Sequence, residues 1–199
     1  MVSPEPTAAT SDAPHIRADA RRNRELILEA ARAAFSTGEK QVSLEAIARD
    51  AGVGIGTLYR HFPTREALVE VVHRDGLTVV LTRADELIAN HDPATALRLW
   101  MNDYADFVGR KRGMAESLRA LSQAGVIAAS DTRTLITETL QRFLDAGARS
   151  GALRGDVLAE DVAASMLGVL LAADSPRSLQ EGRMLDLLFA GIRAPESQT

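Results

Sequence analysis

Residues 43–62 read SLEAIARDAGVGIGTLYRHF, and no other stretch constrains the fold as tightly. The spacing is that of two short helices meeting at a fixed corner. Ala48 is small where the helices cross, Gly52 suits a turn that needs positive φ, and Leu58 is apolar on the inner side of the second helix. Ile47, Ala51 and Val53 fill the space between them. Ser43 is placed to cap the first helix, with Val42 and Ile47 at the positions of a hydrophobic staple. The second helix covers 55–62, and Pro63 stops it. Such a corner holds the outer face of its second helix toward a partner, and the partner that fits is the major groove of double-stranded DNA.

Ala51-Gly52-Val53, Gly56-Thr57-Leu58-Tyr59 and His61-Phe62, followed by Thr64-Arg65-Glu66-Ala67-Leu68, resemble the N-terminal domain of TetR-family transcriptional regulators. The likeness covers 22–68, roughly a quarter of the chain, and its motifs are dense enough to be specific. Beyond Leu68 only the all-helical layout is similar. One departure stands out: Gly54 occupies a position where the family usually has Ser or Thr, which weakens the cap of the recognition helix and removes a hydroxyl contact to phosphate. The resemblance implies that Tyr59 and His61 bond phosphates, while Ile55 and Thr57 lie near base edges. Arg60 is the candidate for direct readout, because one guanidinium bonds guanine O6 and N7 together. Gly54 and Gly56 admit a close strand, and Ser43 and Arg65 at helix starts are candidate phosphate clamps. Arg17, Arg21, Arg22 and Arg24 crowd the start of the first helix, and Arg21 and Arg22 are assigned to phosphates. The plainer alternatives are a Tyr59 buried in the core and an arginine run that is only a solvated face.

A net charge of −4 suits a duplex binder only once it is divided. Between His15 and Glu66 there are nine Lys/Arg against seven Asp/Glu, while the remainder of the chain is acidic. That asymmetry discourages the larger part from clinging to DNA non-specifically. Cysteine is absent, which excludes disulfides, thiolate metal sites and cysteine nucleophiles and suits a reducing cytoplasm. Residues 1–15 read as a disordered tail without the features of a signal peptide. The longest apolar run, 166–173, falls well short of the roughly 20 residues that span a bilayer. The expectation is a soluble cytoplasmic protein.

Helical periodicity continues to the end of the chain. The first helix is expected over 19–37 with Gly38 as its C-terminal cap, and Thr64 caps a fourth that extends to Asn90, with Gly76 as a candidate bend. Five more follow, ending with 159–173 and 178–192. The expected class is all-α: a three-helix helix-turn-helix DNA-binding domain over 16–66, a larger effector-binding and dimerisation domain over 67–194, and a short tail over 195–199.

In that larger domain Trp100, Met101, Tyr104, Phe107, Met114, Phe143 and Met166 gather aromatic and thioether groups suited to a mostly apolar small-molecule effector, although a helical aromatic stripe is more often plain core. By the resemblance, the last two helices pair in a homodimer. Their residues agree: Ala164 and Gly168 allow close approach, and Leu167, Leu171, Leu185, Leu188, Phe189 and Ile192 offer apolar surface. A monomer burying them itself is the alternative.

No cofactor or metal is expected. Glu70-x-x-His73 matches half of a di-iron motif, but no second copy exists, so an exposed acid and a surface histidine are the better reading. Gly52-x-Gly54-x-Gly56 follows a helix and lacks nucleotide-loop spacing. The function expected is a ligand-responsive repressor on a palindromic operator. A DNA-binding protein whose second part meets a protein partner is the rival.

Overall fold

The computed structural model describes residues 13–37, 42–173 and 178–195. Gly38, the expected cap of the first helix, lies outside them, as do most of both expected tails. The helices are α1 (Ala13–Ser36), α2 (Leu44–Asp50), α3 (Ile55–His61), α4 (Arg65–Asn90) and α5 (Pro93–Lys111). A 3-10 turn (Arg112–Met114) leads into α6 (Ala115–Gln123), and α7 (Ala129–Ser150), α8 (Ala159–Ala172) and α9 (Leu179–Ile192) follow. An isolated antiparallel bridge between Leu153 and Arg193 is the sole β pairing among the described residues.

Local chemistry sets the joints. Ser43 Oγ, Thr64 Oγ1, Asp92 Oδ1 and Ser178 Oγ each accept a backbone N–H in the first turn of the helix that follows, at 3.0–3.1 Å. Gly52 takes φ 68° in the turn between α2 and α3, a conformation that costs most other residues strain. One helix start differs from expectation. α1 begins at Ala13, inside the segment expected as tail, because a proline in the first turn interrupts no helical hydrogen bond.

Two apolar cores form. The amino-terminal head packs Ile27, Phe35, Ile47, Leu58 and Phe62. The body packs Trp100, Leu97, Leu140, Phe143 and Met166. α4 belongs to both: Leu68, Val69 and Val72 join the head, whereas Val80, Ala84 and Leu87 join the body. The boundary expected after Glu66 therefore falls inside continuous packing. Met114 and Leu121 also return to the head core, which corrects the expectation that Met114 lines an effector pocket in the body.

Polar contacts close the seam between the two. Arg32 of α1 pairs with Asp75 of α4 at 2.7 Å, and Ser117 donates to Glu66 Oε1 at 3.1 Å. Arg112 donates to the carbonyls of Leu170 and Ala173, both at 2.9 Å, satisfying two of the orphan acceptors at the end of α8. No helix among the described residues is long and apolar enough to cross a membrane.

Candidate nucleic-acid interface

α3 is short, and its one fully buried side chain is Leu58, which fixes the helix against α1 and α2. Three successive ring or cationic groups follow that anchor. Tyr59 is 44% exposed, which removes the core-tyrosine alternative; Arg60 is exposed, and His61 is half-buried. Ile55 at 38% exposure and half-buried Thr57 lie one turn back, and Gly54 and Gly56 are exposed beside them. Gly54 is the N-cap and offers no side-chain bond, as the sequence implied. The first amides of α3 therefore have no side-chain acceptor, an arrangement that suits an anion from outside.

The surrounding cations divide into two kinds. Arg21 and Arg22 are exposed on α1, Arg21 only loosely held by Glu25 at 3.9 Å. Arg24 instead lies over the Phe62 ring at 4.5 Å, bracing the end of α3. Ser43 sits at the surface, its hydroxyl donating to Glu45 Oε2 at 3.0 Å while it caps α2. Arg65 corrects the expectation of a phosphate clamp. Its guanidinium turns inward, donating to the carbonyls of Val42 and, at 3.2 Å, Gly113, with Phe35 beneath it. It ties the corner to the 3-10 turn, and the five donors of a guanidinium make it suited to several carbonyls at once.

In the body, the expected effector residues are packed against one another. Trp100, Met101, Phe143 and Met166 are fully buried, with Tyr104 and Phe107 nearly so. Trp100 stacks on Tyr104 at 5.6 Å and donates Nε1–H to the Val80 carbonyl at 3.0 Å. Two open grooves lie elsewhere. One of about 350 Å³ runs between α5 and α9 past Arg98, Leu99, Phe189 and Arg193; another of about 310 Å³ passes Asn102, Asp106 and Glu181.

The expected pairing face is split. Leu185 and Ile192 point into the subunit's own core, so they are corrected to core residues. Leu171 is 67% exposed, with Ala164 and Gly168 also outward, while Leu167, Leu188 and Phe189 are half-buried. Leu187, 75% exposed on α9, was missed by sequence reasoning. Its signal is faint, because α9 carries leucines toward both faces and periodicity does not say which faces inward.

His73 is another correction. It is buried, stacked on Phe107 at 5.4 Å, with its pKa lowered to about 4 by burial first and then by the charges of Lys111 and Arg74. Glu70 pairs with Arg74 at 2.9 Å. No group of three or more metal-ligating side chains occurs among the described residues.

Comparison with known proteins adds independent findings. Residues 27–72 match the family described as bacterial regulatory proteins, tetR family, and residues 92–194 match the C-terminal domain described as transcriptional regulator SbtR-like. The crystal structure of TetR transcriptional regulator SCO0520 from Streptomyces coelicolor is 41% identical, with a TM-score of 0.75 over 86% of this chain and 98% of that one. A TetR transcription regulatory protein from Mycobacterium vanbaalenii is 32% identical with a TM-score of 0.64, covering 90% of this chain and 99% of its own. A Staphylococcus aureus HTH-type transcriptional regulator is 36% identical over 73 residues, which span 36% of this chain and 40% of that relative's length.

Proposed function

Because this chain belongs to the TetR family of DNA-binding transcriptional regulators, we propose that it is a repressor that holds a palindromic operator as a homodimer and releases it on binding a small, largely apolar effector. The observation that carries the DNA assignment is the outward row of Ile55, Thr57, Tyr59 and Arg60 around buried Leu58. Arg60 reads a base edge, Ile55 and Thr57 approach the groove floor, and Tyr59, His61, Ser43, Arg21 and Arg22 set the register on phosphates. Gly54 and Gly56 keep the start of α3 open to a strand. Seven residues of recognition helix offer few base contacts, so two copies on a symmetric site supply the specificity. The apolar outer surface of α8 and α9 supports that pairing. A regulator of this kind works in the cytoplasm, where duplex DNA is met.

Sensing falls to the body. A solid cluster around Trp100 admits a guest only by parting its helices, and packed cores switch between discrete arrangements rather than stretching smoothly. α4 is built into both cores, so any tilt imposed at Val80 and Leu87 reaches the head through Leu68 and Val72. A protein partner is the second reading, favoured by the open groove where Leu99 and Phe189 lie between arginines. Sequencing DNA that the protein selects from a random pool tests the first half: a two-fold symmetric consensus is expected, and a non-symmetric or absent one rejects it. Trp100 fluorescence followed together with operator release tests the second. A small molecule that binds without changing DNA affinity rejects the coupling.

A further inference from the structure

Two ionisable groups at the seam lack the partner that their chemistry calls for. His73 on α4 is only 4% exposed, and its Nδ1 is buried with no hydrogen-bond partner. Lys111, the last residue of α5, holds its ammonium 4.5 Å from the centre of the Phe107 ring, and no oxygen pairs with it among the described residues. His73 stacks on that same ring at 5.4 Å. One phenyl ring thus carries an unpartnered imidazole and an unneutralised ammonium.

Of the neighbouring charges, the Arg110 guanidinium reaches to 3.8 Å from where a Gly76 Cβ would stand, and three others have partners elsewhere. Arg74 holds Glu70, Arg32 holds Asp75, and Arg112 caps α8. Gly76 lets the Phe107 ring lie close to α4: a Cβ there would stand 3.3 Å from the ring. A buried polar nitrogen without a partner and a desolvated cation facing only a π surface are both costly, and one guest relieves both. We propose that the seam between α4 and α5 binds a monocarboxylate, one oxygen accepting from His73 Nδ1–H and the other pairing with the Lys111 ammonium over the face of Phe107. The apolar floor of Phe107 disfavours a dianion such as phosphate, whose second charge would have to be desolvated there.

Burial lowers the pKa of Lys111, as it does that of His73, and a bound carboxylate reverses both shifts. The location gives occupancy a consequence. His73 directly follows Val72, which packs in the head core, and Lys111 adjoins the turn whose Gly113 carbonyl receives Arg65. The guest's use as an effector rests on the regulator reading above; its binding does not.

The test titrates the full chain with acetate, butyrate and benzoate, with chloride and inorganic phosphate as controls, while NMR follows the imidazoles of the four histidines. Monocarboxylates are expected to shift the His73 resonances saturably and raise the His73 pKa by about one unit or more. Lys111→Met, which keeps the stem on Phe107, should abolish the response; Lys111→Gln serves if that variant does not fold. The proposal is overturned by no saturable shift with any of the three acids, by a shift unchanged in the Lys111 variant, or by an equal response to chloride. A gel shift on the selected DNA is run separately, so failure of DNA binding strikes the regulator reading and leaves this titration standing.

Discussion

The molecule leaves two unlike faces uncovered. On α3, Tyr59 and Arg60 stand outward beside Thr57 and His61, and each ends in a polar group that water satisfies; Ile55 alone is apolar. On α8 and α9 the outward residues include Leu171 at 67% and Leu187 at 75% exposure, with Ala164, Gly168 and Gly191 among them. The first face is stable bare and can wait for a ligand. The second costs roughly 25 cal/mol for every Å² of apolar surface left in water. Exposure at one end suits a waiting polar ligand, and at the other it is what the proposed pairing would cover.

A charge placed on the second face is the strongest way to break that contrast. Leu171→Glu combined with Leu187→Glu leaves the subunit's own core untouched, because both side chains already lie outside it. If a second copy covers them, each buried carboxylate costs about 3–5 kcal/mol, or at least roughly a hundredfold in dimer dissociation. Sedimentation should show monomers, and operator affinity should fall with the dimer. A variant that still sediments and binds as the parent would mean that these leucines face water in the working protein.

Between the two faces, His73 reports on the seam that joins them. Unfolded, it takes up a proton near its ordinary pKa of 6.5; folded, it does so only near 4. Between these values the unfolded chain binds more protons, so acidification from about pH 7 to pH 5 removes about 2 kcal/mol of stability through this residue. His73→Phe keeps a ring on Phe107 and should lose that part of the pH dependence in urea unfolding. Equal acid sensitivity in parent and variant would show a seam open to water.

How far these features are legible in the sequence follows from how local they are. Ser43 and Gly52 act on neighbours within a few residues, so the corner could be read from spacing, and all nine helices of the described residues were expected. Which side of a long helix faces inward depends on partners far along the chain. Leu185 and Leu187 are indistinguishable by residue type, yet one packs on the body core and the other meets water. Arg65 looked free at a helix start until the 3-10 turn folded back beside it. Met114 and His73 were misread for the same reason: each is placed by a contact between segments that are distant in sequence.

The smaller predictions sharpen the polar face. Arg60→Ala should lower affinity roughly tenfold for the operator while relaxing preference at one or two base pairs, since a bidentate contact discriminates by about 1–3 kcal/mol. Arg22→Ala should do less and do it evenly. A phosphate contact carries no sequence information, so affinity for operator and random duplex should weaken together, with the slope of log affinity against log salt falling by about 1. The pair separates reading from holding within one face. Should Arg22→Ala change sequence preference while Arg60→Ala changes only the salt slope, the roles assigned to α1 and α3 are exchanged. If neither moves affinity or slope at low salt, the outward row on α3 is not the surface that meets DNA.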